Sequence, residues 1–247
     1  FKKRFAEIQP TAVVLTWLQD NYEEIIAIAG ATTKIVLVSR AKAIDPNKGY
    51  NDLLIFERRP IVPYYTLSVP VKEGAPRIWL IGFSNGASNL EEVVDKISME
   101  RSEVEIMIEA PEWSREELER RLSKLRTFER FKTLTLSVVS LTGTGDEIIN
   151  EIAQSRLSIF YNDSSRTSEL EDLCCLAMAT ERAVVFTRYA PFAHFVERCT
   201  FVEDITISDG IRMGMAAQVK LCHDFSEGQS FMRMRLLLNG GADLKLS

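Results

Sequence analysis

A polar loop at residues 161–168 carries side chains suited to holding an anion. Its sequence, YNDSSRTS, follows the apolar run LSIF and precedes a helical pattern with an acidic first turn. Arg166 can pair bidentately with a phosphate, and serine hydroxyls can bond phosphate or sugar oxygens. The same residue types also form turns and cap helices. The loop is therefore either a turn or a binding loop, whose candidate contacts are Asp163, Ser165, Arg166, Ser168 and Glu169.

A second candidate loop, GFSNGASN, follows the apolar run RIWLI. Glycine lets a backbone approach a ligand closely, and successive N–H groups can surround an anion. The alternative is a tight turn in which the Asn-Gly pair serves only the geometry. In the binding interpretation the candidate contacts are Gly82, Ser84, Asn85 and Gly86.

A third candidate loop, TRYAPFAHF, follows the apolar run AVVF and contains Arg188 and His194. A histidine there can contact a pyrophosphate or act as an acid or base near neutral pH. The alternative is a half-buried histidine within an aromatic cluster. No residue of the chain is identified as the catalytic base.

Strand and helix patterns alternate from residue 77 to residue 187. Apolar runs predict strands at 78–82, 104–108, 134–139, 157–160 and 183–187, with amphipathic or charged helices between them. This alternation predicts a doubly wound, mainly parallel α/β domain. Ligands of such sheets lie beyond the carboxyl ends of the strands, and helix N-termini there attract anions. All three candidate loops should therefore open on one edge of the sheet.

The first part of the chain predicts a smaller domain of the same class. Apolar runs at 11–18, 34–40 and 52–57, with a helical stretch at 21–30, are typical of parallel strands joined by a crossover. The proline-rich segment after them denies ladder hydrogen bonds and predicts a linker. We therefore expect two Rossmann-like doubly wound parallel-sheet domains, the first small or truncated. The expected boundaries are 1–60, a linker at 61–76, and 77–247.

The order of these motifs resembles the donor-binding half of GT-B type glycosyltransferases. The resemblance covers residues 76–238 and lies in the pattern TG..DEI..EIAQS.LSIF followed by LAMATERAVVF. The matching apolar positions are Ala177, Met178, Ala179, Val184 and Val185. The resemblance implies two facing Rossmann-like domains, with a nucleotide-sugar donor bound by the C-terminal one and no essential metal.

The chain departs from that family at polar positions. Leu176 stands where retaining members carry the glutamate that holds the donor ribose, and Glu181, Arg182 and Ala183 stand where they carry Gly-Lys-Pro. Two functions follow from the resemblance. One is a glycosyltransferase that moves a sugar from a nucleotide-sugar donor to an unidentified acceptor, and the other is a non-catalytic scaffold or binding module of a larger protein. A different kind of nucleotide-binding protein is disfavoured, because the chain has no GxGxxG or P-loop.

The amino-acid composition limits the classes of partner that are expected for this chain. The net charge of −5 and the absence of a basic stripe disfavour nucleic acid. The four cysteines lack metal-ligand spacing and are expected to be reduced core thiols, so no metal is expected. No segment has the length of a membrane span or the pattern of a signal peptide, which favours the cytoplasm. Because the chain begins at Phe1 within a helical pattern, we expect a piece of a longer polypeptide.

If Arg166 contacts a diphosphate, its replacement by alanine should weaken binding by about 1.5 to 3 kcal/mol. We expect the fold to survive that change.

Overall fold

The structure is a computed structural model. It describes residues 12–15, 34–39, 53–57, 62–63, 76–84, 88–101, 103–161, 165–188 and 201–238. Contacts between Cα atoms divide the chain into two compact units, one formed by Phe1–Arg59 with Gly228–Ser247 and the other by Pro60–Glu227. The predicted division into a first domain at 1–60, a linker at 61–76 and a donor-binding domain at 77–247 stays a prediction.

The first unit contains a three-stranded parallel sheet. Its strands are β1 (Ala12–Leu15), β2 (Lys34–Ser39) and β3 (Leu53–Glu57), in that spatial order. All three lie within the predicted apolar runs, whose branched side chains favour extended backbone. The parallel arrangement is confirmed. The helix predicted at 21–30 lies outside the described residues.

The second unit contains a five-stranded sheet in which every neighbouring pair is parallel. Its spatial order is β6-β5-β4-β7-β8. The bounds are β4 Arg77–Ile81, β5 Glu105–Glu109, β6 Thr135–Val139, β7 Leu157–Phe160 and β8 Ala183–Phe186. The predicted strands are therefore confirmed to within one residue at each end.

Six α-helices come after β4 in the described part of the chain, and the last of them belongs to the first unit from Gly228 onward. They are α1 Leu90–Glu100, α2 Arg115–Leu125, α3 Gly145–Ala153, α4 Thr167–Ala179, α5 Ile207–Asp224 and α6 Glu227–Leu238. The start of α3 is fixed by a capping box. The Thr144 hydroxyl accepts the N–H of Glu147, whose carboxylate accepts the N–H of Thr144.

The helices α1 to α4 cover both faces of the five-stranded sheet. Successive side chains along a strand point to opposite faces, so neighbouring residues of β4 belong to different cores. Ile78 and Leu80 of β4 belong to a core that includes apolar residues of α1 and α2. Their neighbours Trp79 and Ile81 belong to a second core with apolar residues of α3 and α4. The α/β class with parallel sheets is confirmed, and the second unit is doubly wound.

Among the helices described here, none combines the length and apolar character needed to cross a bilayer.

Candidate functional site

The strand order of the second unit creates a crevice between β4 and β7. The chain leaves β4 toward α1 on one face of the sheet, and it leaves β7 toward α4 on the other face. The loops after these two neighbouring strands therefore diverge at the carboxyl edge. In open α/β sheets, ligands bind at this topological switch point.

Gly82 brings the two loops into contact at the base of the crevice. It has a φ of +85°, a conformation that favours glycine, and a Cβ at this position would lie 2.0 Å from the carbonyl oxygen of Tyr161. The N–H of Gly82 donates to Oε2 of Glu109 at 3.2 Å. The glycine is therefore required by the close approach of two chain segments, whether or not a ligand is bound.

Arg166 lies directly before α4 and is buried between two carboxylates. Its Nη1 and Nη2 atoms donate to Oε2 and Oε1 of Glu109 at 3.0 and 2.7 Å. Its Nε and Nη2 atoms donate to Glu169 at 3.0 and 2.6 Å. Nη1 also donates to the hydroxyl of Ser84 at 3.3 Å. These five hydrogen bonds equal the number of N–H groups on a guanidinium.

The three charged groups differ greatly in exposure. The side chains of Arg166 and Glu109 are 6% and 4% exposed, whereas that of Glu169 is 59% exposed. Burial opposes the charged form of Arg166, but hydrogen bonds to Glu169 and Glu109 outweigh it and raise the pKa of Arg166 above its ordinary value. The hydrogen bond from Arg166 lowers the pKa of Glu169. Among the described residues, this group of two carboxylates and one guanidinium carries a net negative charge.

Arg188 follows β8, and its hydrogen-bond partners differ from those of Arg166. Its side chain is 61% exposed, and its Nε donates to Asp204 at 3.1 Å. The guanidinium carbon lies 5.8 Å from the ring centroid of Phe201, and the Arg188 N–H donates to Glu203. The hydrogen bond to Asp204 raises the pKa of Arg188.

Some of the predicted site residues lie outside what the structure describes. They are Asn85, Gly86, Asp163, His194 and the side chain of Ser168. The structure brings Gly82, Ser84, Arg166 and Glu169 together, while Ser165 is exposed beside them. Their role in donor binding stays a prediction.

Glu109 connects these residues, and sequence reasoning did not select it. It is the last residue of β5, and its carboxylate accepts from the loop after β4 and from Arg166. An acidic residue at the carboxyl end of an otherwise buried strand is the signal that could have identified it. In the described part of the chain, no group of three or more His, Cys, Asp or Glu residues is arranged to hold a metal ion.

Comparison with solved structures identifies the fold. A glycosyltransferase from Rickettsia africae ESF-5 matches with a TM-score of 0.55 at 12% identity, over 100% of this chain and 80% of that one. The fold is that of a GT-B type glycosyltransferase. MurG from Acinetobacter baumannii matches at a TM-score of 0.49 and 10% identity, over 96% of this chain and 76% of that one. The apo lipopolysaccharide outer core galactosyltransferase WaaB matches at a TM-score of 0.49 and 9% identity, over 97% of this chain and 78% of that one.

No protein-family model matches the chain, and no curated protein sequence matches it. At such low identity the structural likeness shows the fold and leaves the chemistry to be argued from the residues.

Proposed function

We propose that this protein is a glycosyltransferase that binds the nucleoside diphosphate part of a nucleotide-sugar donor at the crevice between β4 and β7. The observation that carries the proposal is the convergence of Gly82, Ser84 and Arg166 at the topological switch point of a GT-B type fold. A backbone N–H, a hydroxyl and a guanidinium are groups that bind phosphate oxygens.

Sugar transfer from a nucleotide-sugar donor imposes two requirements on this edge of the sheet. Sugar transfer releases a nucleoside diphosphate, so the site must hold the diphosphate and stabilise the negative charge that develops on it. Arg166 is the buried cation placed to do this, with the N-terminal end of α4 directly after it. We propose no metal in this step. The sugar, the acceptor and the base that activates the acceptor are not assigned.

A second candidate function, a non-catalytic module with the same fold, is favoured by two observations. The hydrogen bonds of Arg166 are already made to Glu109, Glu169 and Ser84, so a phosphate must displace a protein group to reach it. Leu176, which stands at the position of the ribose-binding glutamate of retaining enzymes, packs partly buried against the apolar residues of α3 and α4.

Nucleotide binding separates the two functions. The intact protein would be titrated calorimetrically, and its thermal unfolding followed, with uridine, guanosine, cytidine and thymidine diphosphates at millimolar concentration. The corresponding nucleosides without phosphates serve as controls. A donor-binding protein should bind one diphosphate more tightly than its nucleoside, and a ligand at about 100 times its Kd should stabilise the fold by about 2.7 kcal/mol. If no diphosphate binds, the non-catalytic module is the correct function.

A further inference from the structure

The groups expected to bind phosphate at the switch point already bind an anion that belongs to the protein. The N–H of Gly82 and the Nη1 of Arg166 both donate to Oε2 of Glu109, at 3.2 and 3.0 Å. The Nη2 of Arg166 donates to Oε1 at 2.7 Å. A guanidinium binds the two oxygens of a carboxylate through two parallel N–H bonds, and it binds two oxygens of a phosphate group in the same way.

Burial makes this contact a competitor for any incoming anion. The side chains of Glu109 and Arg166 are only 4% and 6% exposed, so water screens their attraction weakly. A diphosphate that bound Arg166 would have to displace the Glu109 carboxylate or accept its negative charge at close range. Both cost binding free energy.

We infer that Glu109 sets the affinity of this site for nucleoside diphosphates by occupying the anion position itself. The inference rests on the proposed function, since it concerns the same crevice. It also accounts for a site that combines phosphate-binding groups with a net negative charge. Neutralising Glu109 while keeping its shape should therefore strengthen diphosphate binding.

The substitution that tests this is Glu109→Gln. The glutamine oxygen can still accept a hydrogen bond from Gly82 or Arg166, but the side chain no longer carries the competing charge. If Glu109 only supported the loop after β4, the change to glutamine would leave diphosphate affinity unchanged or weaken it. The direction of the change in affinity therefore distinguishes a competitor from a structural support.

The chain offers a matched control at the other end of the same strand. Glu105 begins β5 and pairs with the buried Arg77, whose Nε lies 2.9 Å from Oε2 of Glu105. Glu105→Gln makes the same chemical change in the same strand, but at the amino edge of the sheet. It should leave diphosphate affinity within about twofold of the unaltered protein, because distant sites act independently.

The test measures the Kd for uridine and guanosine diphosphates by calorimetry for the unaltered protein and for both variants. The expected result is at least a tenfold lower Kd in Glu109→Gln and no change in Glu105→Gln. Binding seen only in Glu109→Gln also supports the inference, and it would show that the intact site is closed to diphosphate. Equal or weaker binding in Glu109→Gln, when the unaltered protein binds, overturns the inference and leaves the proposed function standing.

Absence of binding by the unaltered protein rejects the proposed function, and absence of binding in all three proteins rejects the inference as well. Circular dichroism establishes whether each variant is folded. If Glu109→Gln does not fold, Glu169→Gln takes its place, because Glu169 is exposed and competes for the same guanidinium. In that case a threefold or greater gain in affinity supports competition at Arg166, and unchanged affinity overturns it.

Discussion

Replacing Arg166 by methionine is expected to lower the free energy of unfolding by about 3 to 5 kcal/mol. Methionine keeps an unbranched chain that can fill the space beside α4, so the main loss is the guanidinium. The carboxylate of Glu109, only 4% exposed, would then keep the Gly82 N–H but lose both hydrogen bonds from the arginine. An unpaired charge in that position is costly because water cannot replace its partner.

The magnitude follows from the difference in exposure between the two carboxylates. Glu169 is 59% exposed, and its pairing with Arg166 should contribute no more than about 1 kcal/mol. Almost all of the expected loss therefore comes from Glu109. The sequence alone predicts that the fold survives the loss of Arg166, whereas the contact with Glu109 predicts a large loss of stability. The stability of each Arg166 variant must therefore be measured together with its nucleotide affinity.

Equilibrium urea denaturation followed by far-UV circular dichroism measures the effect. Arg212→Met is the matched control, because Arg212 is 74% exposed and pairs with Asp209 on the surface of α5. It should change the free energy of unfolding by less than about 0.5 kcal/mol. The double variant Arg166→Met with Glu109→Gln should recover more than about 1 kcal/mol of the loss, since no buried charge remains unpaired.

A loss below about 1 kcal/mol for Arg166→Met would refute the reasoning. So would a double variant whose loss equals the sum of the two single losses. Either result would mean that Glu109 reaches water or another donor once the guanidinium is gone.

Three further predictions concern the elements around the crevice. Gly82→Ala should destabilise the fold by more than about 2 kcal/mol in the same urea assay, because it combines a positive φ with a clash on the carbonyl of Tyr161. Gly145→Ala is the control and should be tolerated, because the new Cβ would lie 3.7 Å from its nearest neighbour. Thr144→Ala should cost about 1 kcal/mol by removing the capping box of α3, and an unchanged unfolding midpoint would contradict that role. Because pairing lowers the pKa of Glu169, its contribution to stability is complete well above its ordinary pKa of 4.5 and is lost as the pH falls through its folded-state value. Urea titrations at neutral and acidic pH should therefore show that acid lowers the free energy of unfolding less in Glu169→Gln than in the unaltered protein. Equal losses in the two proteins would contradict this.

The strands of both sheets could be predicted from the sequence for a local reason. AVVF is apolar at every position, and RIWLI and LSIF each contain a single polar residue. Nearly continuous apolar runs of this kind are typical of strands covered on both faces, and helical patterns separate them. Parallel pairing follows, because a strand, a helix and a second strand connect most readily by a crossover. The carboxyl edge, and hence the position of the candidate loops, follows from the same order of elements.

The contacts within those loops could not be predicted in the same way. Arg166 and Glu109 are 57 residues apart, and they meet because β5 and β7 lie on either side of β4. Nothing in the sequence around Arg166 indicates whether its guanidinium faces a ligand or another part of the protein. The same is true of Gly82, where a positive φ and the nearby carbonyl of Tyr161 together exclude a side chain.

The sequence by itself determined the parallel α/β architecture, the edge of the sheet at which the candidate loops lie and the resemblance to GT-B type glycosyltransferases, because these depend on local apolar patterns and on the order of elements. Only the tertiary structure decided that the buried arginine at that edge is paired with Glu109. That pairing depends on which strands become neighbours, and a charge taken out of water must find its partner among whatever groups the folded chain places beside it.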